Sequence, residues 1–175
     1  MRYLFIFLLL SITLNACNRK KVTTGNEKLS AGKMAEQAVE VAGKYAFKNL
    51  NDPEISYDKD GTMTISKDIE RYVIIPSETV ICDIDEDSEK DAIVPMTRYY
   101  GNRPVMKEHL FLFNREGSLK TDTIISDIIK ILKVEDRMIY AEISKVSMDS
   151  PGYGCASCME VARYQFTGGR IGRIK

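Results

Sequence analysis

The chain is 175 residues long and carries 25 lysines and arginines against 25 aspartates and glutamates. With that balance no global field favours nucleic acid or an anionic surface. Tryptophan is absent and His109 is the single histidine, which leaves little material for a histidine-based catalytic constellation.

The chain starts with Arg2 and a nearly pure hydrocarbon run from Leu4 to Leu10, closed by Leu14-Asn15-Ala16-Cys17. The run has the length of a signal-peptide core and is too short for a spanning helix, which needs about 20 apolar residues. Leucine three places and alanine one place before a cysteine resemble the lipobox of bacterial lipoproteins. The resemblance implies that residues 1–16 are a cleaved signal peptide and that Cys17 becomes the first mature residue. It also implies palmitate-type acylation of that cysteine and a lipid-anchored place in the bacterial cell envelope. Two or three acyl chains hold stably where one binds only marginally. Asn18 is not the aspartate that retains many such proteins in the inner membrane, so an outer-membrane or periplasm-facing position is open.

Residues 17–29, with Arg19-Lys20-Lys21 beside the anchor, read as a short polar tether. A helix is predicted from Ser30 to Asn49, with Ser30 as its N-cap and Met34, Ala38, Val41 and Tyr45 recurring at helical spacing. Asn51-Asp52-Pro53 stops it, because proline disfavours a helical residue before it. Strands follow. Ile55–Tyr57 and Thr62–Ile65 flank the Asp58-Lys59-Asp60-Gly61 turn, and further runs cover 72–75, 79–84, 92–100 and 108–113. The last predicted strands cover 119–125, 128–134, 138–146, 160–166 and 170–174. His109, Phe111 and Phe113 alternate with Leu110 and Leu112, so that strand is apolar on both faces and central. Short connections favour an antiparallel meander over parallel units. The expectation is an α+β domain over 30–175, with one N-terminal amphipathic helix packed on a curved antiparallel meander sheet.

The sharpest local chemistry is Asp83-Ile84-Asp85-Glu86-Asp87-Ser88-Glu89-Lys90-Asp91. Carboxylates at alternate positions let a short loop wrap a hard cation that takes 6–8 oxygens. Asp83, Asp85, Asp87 and Asp91 are the candidate metal ligands, and Glu89 would add its backbone carbonyl. The segment resembles the Asp-x-Asp-x-Asp-Gly-x-x-Asp loop of FG-GAP and VCBS-type repeats, which implies calcium held between two strands. Two departures stand out. Ser88 replaces the glycine of the sharp turn, and Val94 stands where an EF-hand has its bidentate glutamate. The spaced features from residue 78 to 174 are also similar to small bacterial envelope proteins with a degenerate Asp-rich segment, from which no activity transfers.

With Cys17 lipidated, Cys82, Cys155 and Cys158 remain as disulfide candidates, either within Cys155-x-x-Cys158 or from Cys82 to one of that pair. A helix N-terminus lowers the first thiol of a thioredoxin-type motif. Here residues 159–166 read as a strand. A Cys₃His zinc set of Cys82, Cys155, Cys158 and His109 would join one close pair to two distant singles in an oxidising compartment. No Gly-x-Ser-x-Gly, Walker A or His-Glu-x-x-His motif occurs. The expected function is therefore a non-enzymatic, lipid-anchored binding module for a protein or glycan, not nucleic acid, with one calcium ion in the acidic loop. The rival expectations are a metal-free structural or inhibitory lipoprotein, and a thiol–disulfide redox protein using Cys155 and Cys158.

Overall fold

Ser30 begins the part of the chain described by a computed structural model, which covers residues 30–174 except 127, 148, 149, 152 and 154. The expected signal peptide (1–16), Cys17 and the expected tether lie outside the described residues. Helix α1 (Ala31–Asn49) starts at Ser30, whose hydroxyl accepts from the Lys33 N–H at 3.4 Å. It ends at Leu50, before Asp52 turns left-handed at φ 54°. Met34, Ala38, Val39, Ala42, Gly43 and Ala46 form its buried face. No helix among the described residues is long and apolar enough to cross a membrane.

The rest is antiparallel β-structure. One sheet runs β1 (Glu54–Tyr57), β2 (Met63–Lys67), β3 (Glu70–Ile74), β5 (Asp91–Tyr100), β6 (Arg103–Arg115), β7 (Ser118–Ser126). The short β4 (Val80–Cys82) pairs with the same edge of β5 as β3 does, Val80 opposite Ile93 and Ile74 opposite Met96. β3 and β4 are thus two lengths of one strand line, interrupted by the single helical turn Pro76–Glu78. A second sheet runs β8 (Ile128–Glu135), β9 (Met138–Ser144), β10 (Met159–Thr167), β11 (Arg170–Ile174).

The helix on antiparallel sheet and the meander order follow the sequence reading, with one correction: there are two sheets, not one. The reason lies in β6. Its alternating apolar residues need cover on both sides, and a single helix covers only one. On the helix side, Leu110 and Leu112 join Ile65, Ile74, Val94, Ala38, Ala42 and Ala46. On the other side, Phe111 and Phe113 join Ile93 from the first sheet, Ile84 from the loop between β4 and β5, and Ile128, Ile139, Ile143, Ala162 and Tyr164 from the second sheet. The Phe113 and Phe166 rings meet across the sheets at 4.8 Å, a contact worth about 0.5–1.5 kcal/mol beyond its buried area. β6 also begins earlier than the sequence suggests, at Arg103, so the hairpin from β5 is one long ribbon with a register shift at Arg98/Tyr99.

Candidate metal centre

The acidic loop leaves β4 at Cys82 and re-enters the sheet as β5 at Asp91. Two non-glycine residues turn left-handed inside it, Glu86 at φ 62° and Ser88 at φ 74°. Ser88 therefore makes the turn for which glycine is the natural residue, at a cost of about 1 kcal/mol. Side chains of the loop hold this shape. Asp83 Oδ2 accepts from the Ser88 N–H at 3.0 Å, and Asp87 Oδ1 accepts from the Glu89 N–H at 2.8 Å. Such bonds from an aspartate to the backbone a few residues on are what make it a turn residue.

Asp91 closes the loop and is fully buried. Its two oxygens accept from the Ile84 N–H at 2.8 Å and the Asn114 N–H at 2.9 Å. Burial pushes its carboxyl up to about 6; the two N–H donors oppose this, and the charges of Asp85 and Asp87 add to it. A positive charge beside Asp91 would relieve that cost.

Carboxylate oxygens of Asp83, Asp85 and Asp91 lie within 4.8 Å of one another. Asp85 is buried, and its Oδ1, like Asp83 Oδ1, has no hydrogen-bond partner among the described residues. A buried carboxylate oxygen left without a donor or cation is expensive, so each such atom asks for one. Asp87 and Glu89 stand outside this trio. Asp87 Oδ2 faces Arg115, and the Glu89 carboxylate accepts from Asn114 Nδ2 at 3.5 Å.

Two residues of the site were not legible as such. Asn114 and Arg115 lie just past the strand predicted over 108–113, yet β6 carries them alongside the acidic loop. The signal was the strand register: with Ala92 opposite Leu112, the residues after Leu112 must run beside Asp91 and the loop before it. Arg115 Nη1 lies 2.8 Å from Asp85 Oδ2 and 3.2 Å from Asp87 Oδ2, and its guanidinium sits 5.0 Å from the Phe113 ring centre. The bond to Asp85 holds its charge more firmly than usual. Asn114 is buried, and its Oδ1 has no hydrogen-bond partner among the described residues. From the turn between β8 and β9, Arg137 Nε reaches Glu86 at 3.0 Å, tying the loop to the second sheet.

The cysteines resolve the open pairing. Cys155 and Cys158 are bridged to each other across one helical turn, Ala156–Cys158, that leads into β10. Cys82 is outside the bridge, buried in the core between the sheets. With two of its sulfurs joined, the Cys₃His set does not form. His109 is 1 % exposed between the sheets; burial, with the Lys107 charge nearby, pulls its imidazole down to about 3, so it is a neutral core residue.

Comparison of the chain with protein-family models, with curated proteins and with solved structures gives no match.

Proposed function

We propose that this chain is a non-enzymatic protein of the bacterial envelope, held to a membrane by lipid on Cys17, whose Asp83–Asp91 loop takes one calcium ion. The lipobox-like Leu14–Cys17 supports the anchor. The observation that carries the calcium reading is the meeting of Asp83, Asp85 and Asp91 within 4.8 Å with buried oxygens lacking partners. The donors are all hard oxygens, the set calcium prefers over softer metals. Asp87 and the Glu89 carbonyl are the remaining candidate ligands from the loop. An envelope site meets external calcium, so millimolar affinity suffices, and the ordered loop would present a surface to a protein or glycan partner.

One observation favours a metal-free reading, in which the chain is a structural or inhibitory lipoprotein: Arg115 already offsets part of the loop's charge. Calorimetry on the metal-stripped full chain in non-ionic detergent micelles separates the two. Calcium is expected to bind once per chain and to stabilise by about 1–3 kcal/mol at ten to a hundred times the dissociation constant. Asp83→Asn with Asp85→Asn is expected to abolish both effects. No heat and no thermal shift in the wild type would leave only the metal-free reading.

A further inference from the structure

Arg115 and the acidic loop fit each other incompletely. A guanidinium offers its donors only in its own plane. Arg115 spends Nη1 on Asp85 Oδ2 at 2.8 Å and Asp87 Oδ2 at 3.2 Å. Asp83 Oδ1, Asp85 Oδ1 and Asn114 Oδ1 find no partner among the described residues, although Asp85 and Asn114 are each more than nine-tenths buried. A spherical cation differs in that it gathers oxygens from every direction.

We propose that Arg115 is a tethered counter-cation of this loop, neutralising Asp85 and Asp87 while no ion is present and displaced by calcium on binding. The inference rests on the calcium reading and adds its regulation. The Asp85 side chain is 7 % exposed, so an ion that takes both of its oxygens must take Oδ2 from Arg115. An ion using Oδ1 alone would sit a few ångströms from a like charge. The Arg115 side chain is 43 % exposed and can swing into solvent at little cost. Calcium affinity is then set by competition within the chain. The bound state also differs at the surface, because the freed arginine leaves the face of Phe113 and stands beside the loop.

The test is calcium calorimetry on the metal-stripped full chain in non-ionic detergent micelles, comparing wild type, Arg115→Gln and Arg115→Lys, with circular dichroism to confirm folding. Removing the charge is expected to tighten calcium binding about tenfold, while lysine stays closer to wild type. Should Arg115→Gln not fold, Arg115→Met keeps an apolar stem over Phe113 and serves in its place. In the wild type, the Arg115 Nε–H resonance is expected to move to a solvent-exposed position as calcium is added. Equal or weaker binding by the folded variant, or an unmoved resonance in calcium-saturated protein, would overturn the displacement and leave the calcium reading intact. Binding by Arg115→Gln but not by wild type would uphold the competition and overturn calcium as the native ligand. Silence in every variant would overturn both.

Discussion

The two faces of the larger sheet are built on opposite plans, and β6 supplies both. Toward the helix the contact is made by Ala38, Ala42, Gly43 and Ala46, small residues that let a backbone approach closely over Ile65, Ile74, Leu110 and Leu112. Toward the second sheet the space is filled by volume, with Phe111, Phe113 and a set of isoleucines. β6 itself also buries one ionisable residue on each face, Glu108 under the helix and His109 between the sheets. Burial drives both toward the neutral form, Glu108 upward and His109 down to about 3. Their surroundings differ. Tyr45 on the helix donates to Glu108 Oε1 at 3.5 Å, and Arg98, paired to Glu70 at 2.5 Å, offsets part of the rise. His109 Nδ1 has no hydrogen-bond partner among the described residues. A helix seated on small residues leaves room for polar company at its margin, whereas a core closed by two sheets does not.

The largest test of this contrast is Phe111→Ala. It opens a cavity in the core that depends on volume and is expected to cost about 3–5 kcal/mol in urea unfolding. A loss below about 2 kcal/mol would mean that the sheets collapse onto each other and that this core is no stiffer than the helix seat.

Next comes the pH dependence of His109. Its folded value lies below its ordinary 6.5, so the folded state binds fewer protons, and its contribution is present above pH 6.5 and lost as pH falls toward 3. At pH 5 the loss relative to pH 7 is about 2 kcal/mol. Glu108 and Asp91 act in the opposite sense. Their folded values are raised, so what they contribute is present at low pH and is lost as pH rises, for Asp91 between 3.8 and about 6. Subtracting the curve of His109→Gln from that of the wild type isolates the histidine. Parallel curves would show that the site between the sheets accepts a charge.

The smallest effect is expected at the helix seat. A Cβ on Gly43 would lie 2.7 Å from Met63 Sδ, the movable end of a flexible side chain. The strain of Gly43→Ala is offset by a gain of about 1 kcal/mol in helix propensity, so the net change should stay within about 1 kcal/mol. A loss of 2 kcal/mol or more in thermal or urea unfolding would make the two faces equally rigid and remove the distinction.

Much of the local structure was legible. Ser30 and Pro53 bracket the helix, and the turn at Asp58–Gly61 places its hairpin, because capping and left-handed turns depend on residues close in sequence. The second sheet was not legible. Whether successive hairpins continue one sheet or fold back onto it is decided by which face needs cover, and that is a property of the pairing. The alternation in His109–Phe113 held the clue, since a strand apolar on both sides needs two covers. The acidic loop was legible as a turn rich in carboxylates, including the strain to be borne at Ser88. Its completion by Asn114 and Arg115 was hidden, because proximity across a hairpin depends on register, which the shift at Arg98/Tyr99 alters.

The double acceptance by Asp91 gives the loop an unusual mechanical standing. Surface loops ordinarily fray by themselves, at a free energy well below that of global unfolding. Here the amides of Ile84 and Asn114 end on one fully buried carboxylate. Peeling the loop away would take the Ile84 donor from that carboxylate and leave one of its oxygens unpaired inside the protein. The loop and the middle of the larger sheet therefore share one opening event, and the two amides should exchange with solvent on the slow timescale of a core strand. A loop that holds its shape through the lifetime of the fold keeps its carboxylates arranged before any ligand arrives, so ordering the backbone adds nothing to the cost of binding.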